Sequence, residues 1–273
     1  MAMARNYFQE NIERLDIRFG ALVHRLKTID EDDSFYIVKA KNGSFTVKVD
    51  CELGYTKFLH SSYNPIHEGD VLSEQWYHAD THLFIIMGLG LGYHVISLLK
   101  RLQPEQKLLI IEPHPPLFKK ALTIMDMREV FNDTRVFIIV EAYLISIKQK
   151  IKAYLNDFIP YNSTTIKFEF ISLYERWDRY RTFLIEVKTL INTSFTDISA
   201  LKACVINQID YLRTSGLGKK FLGTYKDCMS FFRERIKKGH SLNDAEIGML
   251  ITYYLFSHES YAETFERGSR CEV

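Results

Sequence analysis

Four strongly apolar runs recur through the middle of the chain. They lie at residues 83–87, 107–112, 135–140 and 165–173. The first three are nearly continuous, which is typical of strands buried on both faces of a sheet. Helix-like segments separate the runs, at residues 93–102, 116–127 and 143–158. This alternation predicts an α/β fold with a Rossmann-like, methyltransferase-like parallel sheet.

The pattern ahead of that sheet predicts a helix and a β-hairpin. Residues 6–27 carry apolar side chains mainly three and four positions apart, the spacing of an amphipathic helix. Two β-rich runs follow at residues 35–40 and 45–50, and Asn42-Gly43 between them favours a tight turn. Residues 51–70 mix glycine, proline, asparagine and serine, so we expect a loop there and a short helix over 71–78.

No strand pattern appears after Tyr174, and the remaining chain reads as helical. One long helix or two should cover residues 174–213, with Gly216 and Gly218 as a break. Further helices are predicted over 221–238 and 243–257, before a polar tail. We therefore expect three parts. They are an N-terminal subdomain (1–82), a Rossmann-like nucleotide-binding domain (83–173) and a helical region (174–273).

Composition and charge exclude several classes of protein. The 35 basic and 34 acidic residues give a net charge of +1, which does not favour nonspecific nucleic-acid binding. The longest apolar stretch, 83–91, is far shorter than the ~20 residues that span a bilayer, so no membrane span is predicted. The first fifteen residues lack the pattern of a signal peptide, and the four cysteines form no CxxC motif. We expect a cytoplasmic protein with reduced thiols and no metal site.

The candidate chemistry lies directly after the first apolar run. The segment MGLGLGYH places Gly88, Gly90 and Gly92 between a predicted strand and a predicted helix. Glycine permits the positive φ of a sharp turn, and the free N–H groups of a helix start attract anions. Glu112 ends the next strand, 20 residues after Gly92, where a carboxylate can accept hydrogen bonds from ribose hydroxyls. The alternative is a glycine turn retained only for close packing of helix and strand.

The spacing of the glycines separates two nucleotide-binding classes. Tyr93 stands where a dinucleotide fingerprint has its third glycine, which disfavours NAD and FAD. The turn resembles that of S-adenosylmethionine-dependent methyltransferases and polyamine synthases. This resemblance implies that residues 88–93, including Leu89, form the first ligand loop. It also implies that Glu112 holds the ribose and Glu141 lies near the adenine. Methyltransferases usually have an acid at the position of Ile86, and no acceptor motif follows the fourth strand.

A second resemblance covers more of the chain. Its residues are Leu59-His60-Ser61 with Tyr63, Pro65 and Glu68, then Gly88-x-Gly90-x-Gly92-Tyr93-His94, and Ile111-Glu112-Pro113. These motifs are similar to the N-terminal region of the motility-associated factor (Maf) glycosyltransferase family and its pterin diphosphokinase-like relatives. The resemblance implies a Rossmann-like domain beside a catalytic domain that transfers nonulosonic acids to serine or threonine of flagellin. A CMP-linked nucleotide sugar would then be the ligand, and flagellin a partner.

The sequence departs from that family at its transferase motif. The G-x-G-P-S-L turn that opens the transferase domain does not occur, so no catalytic residue is assigned and we expect a fragment or a short relative. His60 and Ser61 are interpreted as a polar lip over the glycine turn, or as loop residues that cap backbone groups. His94 is expected to be partly exposed at its helix start. Three functions stay open: a Maf-related nucleotide-sugar module, an S-adenosylmethionine-dependent methyltransferase and a partner-binding scaffold with a vestigial pocket.

Overall fold

The computed structural model of the chain describes residues 6–30, 32–51, 54–159 and 166–214. The chain divides into two compact units. The first consists of Met1–Tyr154 and Thr165–Ser194, and the second of Leu155–Thr164 and Phe195–Val273. Everything that bears on the candidate site lies in the first unit. The helices predicted over 221–238 and 243–257, and the break at Gly216 and Gly218, lie outside the described residues.

Seven strands and seven α-helices make up the described chain. The strands are β1 (Phe35–Lys39), β2 (Phe45–Asp50), β3 (Thr56–Phe58), β4 (Leu83–Met87), β5 (Lys107–Glu112), β6 (Val136–Val140) and β7 (Phe168–Ser172). The helices are α1 (Phe8–Leu26), α2 (Pro65–Trp76), α3 (Tyr93–Leu99), α4 (Pro115–Ile124), α5 (Arg128–Asn132), α6 (Leu144–Phe158) and α7 (Arg181–Thr214). Two 3-10 turns, Tyr174–Arg176 and Asp178–Tyr180, lie between β7 and α7. The segment Tyr174–Tyr180 is called the aromatic strap below.

The parallel sheet has the strand order β6-β5-β4-β7, and every neighbouring pair is parallel. All five residues of β4 are buried, as its unbroken apolar run predicts. The sheet confirms the predicted α/β, Rossmann-like fold class. The chain leaves β4 towards β5 on one side and returns to its other side as β7. In open α/β sheets, ligands bind at the carboxyl edge beside such a reversal of strand order.

The N-terminal sheet has the antiparallel order β1-β2-β3. The predicted hairpin joins β1 to β2, and Gly43 takes a φ of 85° in its turn. The expectation of a loop over residues 51–70 is wrong, because this stretch contains β3 and the first half of α2. The Asn64 side chain accepts a hydrogen bond from the His67 N–H at 3.1 Å, with Pro65 in the first helical turn. Asparagine and proline therefore start a helix here instead of marking a loop.

Two apolar clusters fix these elements in place. In the first, α1 packs against the parallel sheet and helices α4 and α5 through Leu15, Val23 and Leu26. The helix is kinked at Phe19, where φ is −134° and ψ is 42°. In the second cluster, apolar residues of β2 meet Leu91 of the glycine turn and Tyr174 and Trp177 of the aromatic strap. The antiparallel sheet and the strap thus cover the carboxyl edge of the parallel sheet.

The helical region expected from Tyr174 begins later than predicted. The aromatic strap comes first, and the continuous helix α7 starts only at Arg181. Within the described residues, none of the helices is both long and apolar enough to cross a membrane.

Candidate functional site

The glycine-rich turn leaves the carboxyl end of β4 and enters α3, as the motif predicts. Gly88, Gly90 and Gly92 have φ values of 92°, 53° and 79°, all in the left-handed region. Residues other than glycine rarely adopt this backbone conformation, so glycine is strongly favoured at all three of these alternate positions. Because glycine has no side chain, other groups can approach the backbone of the turn closely at the carboxyl edge of the sheet.

Glu112 lies beside this turn at the end of β5. Its Oε2 accepts the Leu89 N–H at 2.8 Å and the Gly90 N–H at 3.4 Å. Its Oε1 accepts the His114 N–H and the Tyr174 hydroxyl, each at 2.7 Å. The carboxylate therefore ties the turn of β4, the turn of β5 and the aromatic strap together. Groups of the protein itself thus supply the hydrogen bonds that were predicted for a ribose.

The environment of Glu112 affects its charge in two opposing ways. The side chain is fully buried, and burial raises its pKa to about 7, since a low-dielectric surrounding disfavours the charged form. The hydrogen bonds from Tyr174, His114, Leu89 and Gly90 lower the pKa and offset part of that effect. A carboxyl group with a pKa near neutrality can change charge when its surroundings change.

Side chains of the protein fill the space over the three glycines. A Cβ atom added at Gly88 would lie 2.5 Å from the Tyr174 ring, and one at Gly90 would lie 2.6 Å from His60 Nε2. A Cβ atom at Gly92 would collide with the end of Met127. The glycines are therefore needed for close packing at this turn, and the Tyr174 hydroxyl occupies Glu112 Oε1. A ligand role for residues 88–93 stays a prediction.

His60 and Ser61, the predicted lip residues, lie next to the glycine-rich turn. His60 is 1% exposed, and its Nε2 accepts the Leu91 N–H at 2.8 Å. Burial holds its pKa well below the ordinary value of 6.5, so the ring is neutral. The Ser61 N–H donates to Glu68 at 2.6 Å, and its hydroxyl accepts the N–H groups of Tyr63 and Asn64, just before α2. Both residues cap backbone or helix groups in this structure.

His94 differs from its predicted state. It was expected to be partly exposed, but it is completely buried, with Nε2 3.2 Å from the Gly88 carbonyl oxygen. Burial lowers its pKa to about 4. Its Nδ1 has no hydrogen-bond partner within the described residues. The prediction was wrong because α2 packs over the first turn of α3 and brings the Trp76 ring to 5.6 Å from the His94 ring.

Tyr93 and Glu141, the remaining predicted ligand residues, contact other parts of the protein. The Tyr93 hydroxyl donates to the Phe45 carbonyl oxygen at 2.8 Å, which links the start of α3 to the hairpin. Glu141 follows β6 and accepts hydrogen bonds from Arg25 and Ser146 at 2.8 Å and from Lys150 at 3.1 Å. Burial raises its pKa, but these donors outweigh burial and the net shift is downward. An adenine role for Glu141 stays a prediction.

The sequence interpretation missed the residues of the aromatic strap. Tyr174, Trp177 and Tyr180 are nearly or fully buried, and their rings contact one another at centroid distances of 5.0–5.4 Å. The Tyr180 hydroxyl lies 2.7 Å from His114 Nδ1, behind Glu112. The signal that could have found them is the density of aromatic residues directly after the fourth sheet strand. No group of three potential metal ligands occurs in the part of the chain that the structure describes.

These observations define a Rossmann-like α/β domain with a glycine-rich turn and an acidic residue at neighbouring strand ends. The family model for the glycosyltransferase Maf N-terminal domain matches residues 55–136. The match extends from β3 to the start of β6, so it contains the turn and Glu112. The resemblance of this part of the chain to the N-terminal domain of Maf glycosyltransferases is thereby confirmed.

Comparison with solved structures adds a weaker likeness. The chain is similar to a spermidine synthase in complex with the transition-state analogue AdoDATO, with 13% sequence identity and a TM-score of 0.27. The similarity covers 48% of this chain and 55% of that one, so the chain spans about half the length of that structure. At this TM-score and sequence identity, the likeness adds nothing to the fold already described. No curated protein matches the chain.

Proposed function

We propose that this chain acts in Maf-type glycosylation of flagellin through a Rossmann-like module. The observation that carries the proposal is the match of residues 55–136 to the N-terminal domain of Maf glycosyltransferases. The module would then support transfer by binding a ligand or a partner.

The glycine-rich turn is the place where we expect a nucleoside-containing ligand such as a CMP-linked sugar. The Tyr174 hydroxyl now bonds to Glu112 Oε1 in the way that a ribose hydroxyl would. A ligand must therefore displace Tyr174, which is fully buried. Re-exposing a side chain of this size costs about 2–3 kcal/mol, which weakens binding roughly 30- to 150-fold. Binding at this turn is thus coupled to opening of the aromatic strap.

A second candidate function is that of a non-catalytic scaffold with a vestigial pocket. The observation that favours it is the crowding over Gly88 and Gly90 by the Tyr174 and His60 side chains. In this case the glycines serve packing alone, and the surface of the module binds a partner protein.

A thermal-shift experiment separates these functions. CMP, a CMP-linked sugar, S-adenosylmethionine and its demethylated product are each added to wild type, Tyr174→Ala and the double variant Tyr174→Ala/Glu112→Gln. If the turn binds a nucleotide, Tyr174→Ala removes the competing side chain and shows the larger shift. A ligand at 100 times its dissociation constant stabilises the protein by about 2.7 kcal/mol. The matched control is Tyr180→Ala, which removes a neighbouring aromatic side chain whose hydroxyl bonds to His114 and Pro113 instead of Glu112.

The pattern of shifts assigns the function. A shift with CMP compounds that grows in Tyr174→Ala and disappears in the double variant supports the nucleotide-sugar module. A shift with S-adenosylmethionine alone supports the methyltransferase alternative instead. If none of the compounds shifts any variant, the turn is not a nucleotide site and the scaffold function remains.

A further inference from the structure

A separate groove lies between the C-terminal half of α2 and the edge strand β7. Its volume is about 370 Å³, within the range of about 300–1,000 Å³ that small-molecule sites occupy. Five consecutive residues, 169–173, form one wall. Gln75, Trp76 and His78 belong to the opposite wall. Glu112 and the glycines do not line it, so this groove is distinct from the candidate site above.

Polar groups that can bind hydroxyls lie next to the Trp76 ring in this groove. Trp76 is half-buried, while Gln75, Glu169 and Glu175 are exposed. A carboxylate accepts hydrogen bonds, a carboxamide both donates and accepts, and an indole offers a flat apolar face. Small-molecule sites are usually lined mainly by apolar side chains. Here the polar side chains lie beside two aromatic rings, Trp76 and Phe170, and this combination suits a ligand with many hydroxyl groups and an apolar ring face.

The charges of the groove disfavour an anionic ligand. Arg176 lines the groove, but its Nη1 is bound to Glu68 at 2.6 Å and to the Leu59 carbonyl oxygen at 2.9 Å. Its positive charge is therefore largely balanced. Glu169 and Glu175 have no ion-pair partner among the described residues. Phosphate or sugar carboxylate groups would meet two like charges in this groove.

The Trp76 ring is held from behind by the core of the domain. The His94 ring packs edge-to-face against it at 5.6 Å, and His94 is itself fully buried. Beneath the groove, Ser172 donates to the Met87 carbonyl oxygen at 3.2 Å and so joins the wall to β4. A ring that is already fixed loses little conformational freedom when a ligand stacks on it.

We propose that the α2–β7 groove is a binding site for a neutral saccharide, which stacks on Trp76 while its hydroxyls bond to Gln75, Glu169 and Glu175. The N–H groups of Arg176 that Glu68 and Leu59 leave free are further donors to ring or hydroxyl oxygens. This proposal does not depend on nucleotide binding at the glycine turn. The groove would bind a neutral sugar that is not linked to a nucleotide, and this is a different ligand from an activated sugar donor.

Titration calorimetry of the wild-type chain tests the proposal. The probes are glucose, galactose, N-acetylglucosamine, lactose and chitobiose, with glucuronic acid and CMP as anionic comparisons. We expect saturable binding of at least one neutral sugar, and at least tenfold weaker binding of glucuronic acid. Trp76→Ala should weaken binding at least tenfold, whereas Trp76→Phe should retain most of it. The matched control is Glu74→Gln, an exposed acidic residue of the same helix that does not line the groove.

A fluorescence titration provides an independent readout. The chain has two tryptophans, Trp76 and Trp177, so Trp177→Phe leaves the groove residue as the sole reporter. Saturable quenching of this variant by the same sugar, with the wild-type affinity, places the sugar at Trp76. Glu112→Gln should leave sugar binding unchanged, which separates this test from that of the nucleotide site. If no neutral sugar binds wild type, or Trp76→Ala binds as well as wild type, the proposal is overturned.

Discussion

Glu112 joins three segments of backbone through a single carboxylate. Its four hydrogen-bond donors come from the glycine turn, from the residue after Pro113 and from the aromatic strap. All four donate to it, which suits an ionised carboxylate, while burial favours the protonated form. The loss of any one donor should therefore reduce the free energy of unfolding more here than it would at a solvent-exposed carboxylate.

Replacement of Tyr174 by phenylalanine tests this conclusion. The variant keeps the ring but removes the hydroxyl that donates to Glu112 at 2.7 Å. Hydrogen bonds to charged groups contribute about 1.5–3 kcal/mol, so we expect a loss of that size in the free energy of unfolding, measured in urea. The control is Tyr36→Phe, whose exposed hydroxyl lies 3.4 Å from Asp50. Equal losses in the two variants would contradict a special role for Glu112.

Glycine positions provide a second prediction at the residue scale. Gly90→Ala must strain a φ of 53° and also push its Cβ into His60, 2.6 Å away. Gly43→Ala strains a φ of 85°, but nothing lies within 4 Å of its Cβ. The backbone penalty alone is about 1–2 kcal/mol. We expect thermal unfolding to show that Gly90→Ala is destabilised by at least 1 kcal/mol more than Gly43→Ala. Similar unfolding midpoints for the two variants would mean that the His60 side chain can move aside at little cost.

Residues of the turn were predictable for a local reason. Three glycines between a strand and a helix require a bend, and an acid at the next strand end must lie beside it in a parallel sheet. The groups that fill the turn were not predictable in this way. Tyr174 lies 62 residues after Glu112 in the sequence, and only the strand order β5-β4-β7 brings the two together. The motif therefore located the site but could not reveal that side chains occupy it.

At the scale of elements, strands with continuous apolar runs were predicted best. The bounds of β4 and β5 agree with the apolar runs at 83–87 and 107–112, since burial on both faces leaves an unbroken pattern. Elements near the surface were predicted less well. β3 has only three residues, and α2 begins at residues that also favour turns. The delayed start of α7 reflects tertiary packing of the strap, which helical spacing alone does not encode.

Helix α1 owes its position partly to one buried polar residue that no motif indicated. Asn11 is fully buried, and its amide donates to the Leu122 and Met125 carbonyl oxygens at 2.8 and 2.7 Å. Its side-chain oxygen accepts the Met127 N–H at 2.9 Å. One asparagine thus satisfies three backbone groups, one in the last turn of α4 and two in the connection to α5, and so anchors α1 to this part of the chain.

Asn11→Ala should detach this anchor. Each buried backbone group left without a partner costs about 1–3 kcal/mol, so we expect a loss of at least 3 kcal/mol in unfolding free energy. Asn11→Asp should be equally harmful, because a carboxylate cannot donate to the two carbonyl oxygens. The control is Gln9→Ala on the exposed side of the same helix. Urea unfolding measures all three variants, and a loss below 1 kcal/mol for Asn11→Ala would show that the carbonyls find other donors.

At the scale of the whole molecule, buried ionisable groups determine how stability varies with pH. Burial keeps the pKa of His60 well below 6.5 and lowers the pKa of both His94 and His114 to about 4. Below pH 6.5 the unfolded chain binds protons at these three positions and the folded chain does not, so stability falls as the pH falls towards 4. The contribution of Glu112 to stability changes with pH in the opposite direction. With a pKa of about 7 when folded and 4.5 ordinarily, it contributes stability that is lost as the pH rises through 7.

The three histidines outweigh Glu112 between pH 4.5 and 6.5. The unfolded state binds about two more protons than the folded state in this range, so the unfolding free energy should rise by about 3 kcal/mol per pH unit. His94→Gln keeps a donor for the Gly88 carbonyl oxygen and removes one titrating group. Its slope should therefore be about half that of wild type, as measured by urea unfolding at pH 5.0, 5.5 and 6.0. His67→Gln, at an exposed position of α2, serves as the control and should keep the wild-type slope. If His94→Gln also keeps that slope, His94 is already protonated in the folded protein, and its buried ring has found a partner for the charge.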